Sequence, residues 1–227
     1  MKKTLLLTAS LSALLSANLF ATDISVKVTN LTKGINFTPI LISAHPNTAG
    51  TFTSGTAASP EIQAMAEGGD ISGLVTQLGT NSQFDNNPAG GLLGAGANTT
   101  AEITSLATEN TNLTILSMML PTNDAFIALN NITIPTETGT YTYYLNAYDA
   151  GTELNTELAS DIPGPPLTQS GGTGVVPYTT ATPVENGFIH IHRGTLGDDN
   201  ATGGKSDLDP TIHRWLNPVA KVELTVK

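Results

Sequence analysis

Apolar and polar positions alternate strictly from Asp23 to Asn30, with Ile24, Val26 and Val28 on one side and Ser25, Lys27 and Thr29 on the other. That period predicts a half-buried strand, ended by the turn residues around Lys33 and Gly34. The same alternation returns at the other terminus, where Ala220, Val222, Leu224 and Val226 oppose Lys221, Glu223, Thr225 and Lys227. Two strands of one style at the two ends are expected to pair. Between them, residues 38–44 carry Ile40, Leu41 and Ile42 in succession and predict a strand covered on both faces. Further strands are expected over 100–108, 113–120, 126–129 and 141–148, and alternation resumes around Phe188 to Arg193.

Two short helices interrupt this β pattern. Ser59, Pro60 and Glu61 supply an N-cap, a first-turn proline and a first-turn acid, and the apolar positions Ile62, Met65 and Ala66 follow up to Gly68 and Gly69. Asp70 can cap a second piece carrying Ile71, Leu74, Val75 and Leu78 before Gly79. From Asn81 to Thr99 the chain is rich in Asn, Gly, Pro and Ala and reads as a long mobile excursion. The Pro- and Gly-rich stretch after Ile162 reads as a loop inside one domain. The pattern therefore predicts an all-β fold, an antiparallel two-sheet β-sandwich of about eight strands with two short inserted helices.

The amino terminus alters the compartment. Lys2 and Lys3 precede an apolar run from Leu5 to Phe20, and Ala21 offers a small residue for cleavage, which predicts a secretory signal peptide over residues 1–21 and a single domain over 22–227. No other stretch is long and apolar enough to cross a bilayer. Loss of the two lysines takes the formal charge from −10 to −12. So acidic a surface disfavours nucleic acid as a partner. The chain has no cysteine, so an exported fold would be held by its core, aided by a metal, rather than by disulfides.

Charge is distributed unevenly. No lysine or arginine lies between Lys33 and Arg193, a span that holds five aspartates and eight glutamates. Within it, Asp124 follows the apolar run Leu116 to Leu120, and Asp149 follows the Tyr-rich run, with Glu153 four residues later. If the two strands are neighbours, their ends bring these three acids to one edge, where close carboxylates either take up a proton or recruit a cation. Hard oxygen donors, with Asn123 and backbone carbonyls nearby, suit Ca²⁺ better than zinc. Ordinary solvated loop acids are the other reading of the same spacing.

Two imidazoles, His190 and His192, share one face of a predicted strand, a way of presenting nitrogen to a transition metal. Hydrogen-bonded histidines on a semi-exposed strand are the alternative. Tyr144 and Tyr148 share a face and could stack on a sugar, although such tyrosines usually serve packing. The acidic loop over residues 197–210 lacks the order of an EF-hand loop. Trp215, the single tryptophan, is expected to plug one end of the sandwich.

The acidic segments carry a resemblance. Ser117-Met118-x-x-Pro121-Thr122-Asn123-Asp124 and Asp149-Ala150-Gly151-Thr152-Glu153 resemble the two acidic motifs of the spondin domain, a secreted module. The segment Ala58-Ser59-Pro60 through Ala66-Glu67-x-Gly69 and the closing runs Asp207 to Pro210 and Trp215 to Ala220 are similar to that family too, so the resemblance extends over the mature chain. It implies a β-sandwich that holds a calcium ion through three acids, which fall on Asp124, Asp149 and Glu153. Here Ala125 stands where the family usually has tryptophan, and Glu153 where it has aspartate. The function expected is that of an exported, non-enzymatic calcium-binding module docking onto a matrix, envelope or cell-surface component. The alternatives are a secreted transition-metal enzyme using His190 and His192, and a purely structural surface protein.

Overall fold

The computed structural model describes residues 22–46, 50–163, 187–200 and 204–227. The predicted signal peptide and most of the Pro- and Gly-rich loop after Ile162 lie outside the described residues. The elements in chain order are β1 (Thr22–Asn30), β2 (Asn36–Phe37), β3 (Leu41–His45), α1 (Pro60–Gly68), α2 (Ser72–Leu78), β4 (Gln83–Asp85), β5 (Asn98–Leu106), β6 (Asn112–Leu120), β7 (Ala125–Thr133), β8 (Gly139–Leu145), β9 (Ala147–Asp149), β10 (His190–Ile191) and β11 (Ala220–Val226). They form a four-stranded sheet, β5-β1-β11-β8, and a seven-stranded sheet, β10-β9-β7-β6-β3-β4, with β2 added against β6. Every pairing is antiparallel.

The alternation read at the two termini has its expected outcome. β1 pairs with β11 from Ile24↔Val226 to Asn30↔Ala220, so both strands turn their aliphatic side chains to the same interior. The seven-stranded sheet is covered on both faces, which is why its central strands read as unbroken apolar runs. Along β6, Leu113, Ile115 and Met119 enter the core between the sheets, while Leu116, Met118 and Leu120 enter a second core. β7 divides the same way, with Ala125 and Ile127 facing the other sheet and Phe126 and Ala128 facing the second core. The two helices close that second core with Ile62, Met65, Leu74 and Leu78. The N-cap of α1 is as read: the Ser59 hydroxyl accepts from the Ile62 N–H at 3.3 Å.

Three expectations are corrected. The Tyr-rich run is two strands, not one: β8 pairs with β11 in the four-stranded sheet, and beyond Asn146 the chain crosses to pair β9 with β7 in the other. Tyr144 and Tyr148 therefore do not share a face; Tyr144 is 62% exposed, whereas Tyr148 packs among Phe52 and Phe126. The excursion after Asn81 is pinned at Leu93, whose backbone exchanges hydrogen bonds with Phe37 at 3.0 and 2.8 Å and whose side chain is buried in the inter-sheet core. The strand count among the described residues is eleven because three segments of two or three residues, β2, β4 and β9, add to the eight expected.

Trp215 is buried in the inter-sheet core beside His192, with ring centroids 5.1 Å apart.

Candidate functional site

Asp124 closes the link between β6 and β7. The Thr122 hydroxyl donates to the Met119 carbonyl at 2.5 Å and accepts from the Ala125 N–H at 3.1 Å, which folds residues 119–125 into a tight reversal. Asp124 thus stands immediately before β7, and its neighbour across the sheet is the end of β9, with Ala125 opposite Asp149. The strand that brings Asp124 to Asp149 is the one after it, not the apolar run before it.

Beyond β9 the chain turns on Asp149. Its Oδ1 accepts from the Gly151 N–H at 2.8 Å. Gly151 has φ +67°, and a Cβ there would lie 2.6 Å from the Phe188 nitrogen, so conformation and space both require glycine. The turn aims two backbone donors at Asp124: Thr152 N–H at 2.8 Å and Glu153 N–H at 3.1 Å, both to Oδ2, with the Thr152 hydroxyl at 3.2 Å. The other oxygen, Oδ1, is buried and has no hydrogen-bond partner.

Asp124, Asp149 and Glu153 are all buried. Burial pushes the Asp124 carboxyl up to about 7, and the charge of Asp149 pushes the same way, against the backbone donors of Thr152 and Glu153. The structure joins Asp124 to the 149–153 turn as the sequence suggested. Among the described residues, however, no group of three or more His, Asp or Glu side chains is disposed to hold a metal ion. Asn123, expected to help complete an ion's shell, is otherwise engaged: its Oδ1 accepts from the Glu157 N–H at 3.2 Å and its amide nitrogen donates to Thr156.

Both strand histidines turn toward Asp149, with His190 Nε2 at 3.7 Å and His192 Nε2 at 3.9 Å from its Oδ2. His192 is buried, and its Nδ1 accepts from the Gly194 N–H at 2.9 Å, so its proton sits on Nε2 and is donated to Asn155 Oδ1 at 3.0 Å. Asn155 in turn donates to Asp149 Oδ2 at 2.7 Å. Burial holds the His192 imidazole down to about 4 despite the opposing pull of Asp149, so at neutral pH this contact is not an ion pair. Both nitrogens of His192 are committed, and a metal would have to displace one of these bonds. His45 and His213 lie elsewhere, bonded to Thr114 and to the Asp209 N–H.

Sequence reading passed over Asn155, which links Asp149 to His192, and Glu157. The latter is buried and accepts from Leu196 N–H at 2.6 Å, Gly197 N–H at 2.8 Å and the Ser206 hydroxyl at 2.6 Å, fastening Leu196, Gly197 and Ser206 to the site. The loop acid Asp198 accepts from the Lys205, Ser206 and Asn200 N–H groups, which lowers its carboxyl; residues 201–203 of that loop lie outside the described residues. No signal local to Glu157 marks it, since the groups it accepts from are 39 to 49 residues away, and Asn155, six residues from Asp149, meets His192 37 residues on.

A family model described as Spondin_N matches residues 11–166. The matched span includes α1, α2 and all three acids, and it ends before His190 and His192. No curated protein matches the chain.

Proposed function

The chain belongs to the spondin N-terminal domain family, an extracellular class of module, and on that premise we propose that it is an exported, non-enzymatic module that binds one calcium ion at Asp124, Asp149 and Glu153 and docks onto a matrix, envelope or cell-surface component. Among the described residues no helix is long and apolar enough to cross a membrane.

The observation that carries the reading is Asp124. A carboxylate oxygen with no exposure and no donor costs several kcal/mol as an anion unless a proton or a cation satisfies it. No basic residue is close in sequence, and among the described residues no lysine or arginine pairs with it. The donor set is carboxylate oxygen, which suits a hard divalent ion. The charge of Asp149 presses on Asp124, and a cation between the two would relieve it. When bound, Ca²⁺ would supply charge neutralisation and fixed geometry at the rim. Leu154, next to Glu153, and Phe188, whose backbone abuts Gly151, are 41% and 53% exposed and offer apolar contact to a partner beside that rim.

Thermal melts of chelator-treated protein test this. Saturating calcium is expected to raise the midpoint by roughly 5–10 °C, the equivalent of about 2.7 kcal/mol at a hundredfold excess over Kd, and zinc to give no comparable rise. A rise with zinc alone would favour the histidine reading, and no rise with either metal would leave a structural surface protein.

A further inference from the structure

We propose that Arg193 and Arg214, with the exposed side chains of Leu196 and Leu216 beside them, form a docking surface for a short acidic segment of a partner protein, one in which carboxylates and aliphatic side chains alternate. The inference concerns the docking part of the proposed function and stands without the calcium part. The surface lies beyond residue 166, where the family match ends.

These two are the only arginines in the chain, and each closes an Ile-His-Arg triplet, at 191–193 and 212–214. In both triplets the histidine is buried and the arginine exposed. The fold lays the two stretches side by side in opposite directions. The Asn217 amide donates to the His192 carbonyl at 3.4 Å, a Cβ on Gly194 would lie 2.7 Å from the Trp215 carbonyl oxygen, and the Thr195 hydroxyl donates to the His213 carbonyl at 2.6 Å. That register sets Arg193 beside Leu216 and Leu196 close to Arg214. The buried rings of His192 and Trp215 meet at 5.1 Å, so the residues flanking each, Ile191, Arg193, Arg214 and Leu216, turn outward and are exposed. Arg193 and Arg214 are then diagonal neighbours on adjacent extended stretches, about 7–8 Å apart at the backbone. Both guanidinium groups can reach one ligand.

Neither arginine is occupied within the chain. Lys27, Lys221 and Lys227 each reach a glutamate, and Lys33 donates to the Thr211 carbonyl. Among the described residues no carboxylate pairs with Arg193 or Arg214, in a chain that holds 19 acids. A guanidinium fork takes a carboxylate through two parallel hydrogen bonds. Leu216 and Leu196, 86% and 60% exposed, offer the aliphatic contact that arginine accompanies at protein interfaces. The formal charge of −10 selects the kind of partner. An extended polyanion such as an acidic membrane is repelled by the body as a whole, whereas a short segment covering only this patch meets two fixed positive charges within a Debye length of roughly 8–10 Å.

Fluorescence anisotropy in chelator, with a labelled peptide of about ten residues alternating Asp and Leu and a control peptide alternating Asn and Leu, tests the proposal at about 0.05 M and 0.3 M salt. The wild-type protein is expected to bind the acidic peptide at least tenfold more tightly than the control, with the preference shrinking at the higher salt. An Arg193→Gln, Arg214→Gln double variant should lose at least tenfold at an unchanged thermal midpoint, and Arg214→Gln alone, expected to lose at least threefold, serves if the double variant does not fold. Equal affinity for the two peptides, no binding of either, acidic-peptide binding within twofold of wild type in the double variant, or weaker binding only with a lowered midpoint would overturn the proposal. Tighter binding to vesicles of acidic phospholipid than to the acidic peptide, lost in the double variant, would overturn it in favour of a lipid surface. Because chelator is present throughout, failure here leaves the calcium reading untouched.

Discussion

Asp124→Asn is expected to raise the thermal midpoint of the calcium-free protein at pH 8 and to abolish its response to calcium. Few substitutions at a buried, hydrogen-bonded residue stabilise, and the sign follows from the electrostatics. The Asp124 carboxyl is pushed up to about 7 by burial and by Asp149, from an ordinary value of 3.8. Above pH 7 the folded protein therefore carries an ionised group that the unfolded chain ionises far more easily, a cost on the order of 4 kcal/mol. Asparagine can still accept from the Thr152 and Glu153 N–H groups and carries no charge to bury.

The pH dependence supplies a second signature. Because the folded value is raised, Asp124 adds stability as pH falls through 7 toward 4, and Glu67, also raised by burial, acts in the same sense. His192 acts in the opposite sense: lowered to about 4, it excludes a proton that the unfolded chain accepts near 6.5, so acidification through that window costs stability. The calcium-free protein should gain stability from pH 8 to about pH 6.5 and then level off, whereas Asp124→Asn should lack most of that gain. A variant that is less stable than wild type at pH 8 without calcium, or that still responds to the ion, would contradict this.

The second large effect concerns how the core holds the site. Phe126 is fully buried two residues after Asp124, with its ring 5.3 Å from Phe52 in an edge contact and 5.5 Å from Tyr148 in a stacked one. Tyr148 immediately precedes Asp149, so this cluster fixes the two strand ends that carry the acids. Phe126→Ala is expected to cost about 3–5 kcal/mol in denaturant unfolding, from lost burial and the cavity left behind. Leu216→Ala, at a side chain 86% exposed, is expected to change stability by less than about 0.5 kcal/mol. A Phe126→Ala loss below about 1 kcal/mol would mean that the second core collapses around the gap and does not hold the strand ends as described.

Much of the architecture was legible because side-chain period reports directly on which faces are covered. β1 and β11 alternate because each has one solvent face, and β6 does not because helices and a sheet cover it from both sides. The cap of α1 could be read from three consecutive residues. The crossing between sheets at Asn146 could not: alternation is unbroken from Tyr141 to Tyr148, and only the partners of the two halves differ. Leu93 was hidden by its glycine-rich surroundings, since its place in the core comes from pairing with Phe37, 56 residues earlier. A strand of two residues such as β2 is too short to show a period at all.

The same distinction applies to the site. Asp124 and the 149–153 turn could be foreseen as neighbours because each lies at the border of a strong strand pattern. Asn155 and Glu157 make contacts that no local pattern encodes.

Equilibrium dialysis with radioactive calcium, comparing the wild-type protein with an Asp149→Ala, Glu153→Ala double variant, tests the central claim most directly. The account predicts one ion bound per wild-type chain and none at the same free concentration by the variant. Undiminished binding by the variant, or none by the folded wild-type chain, would contradict it.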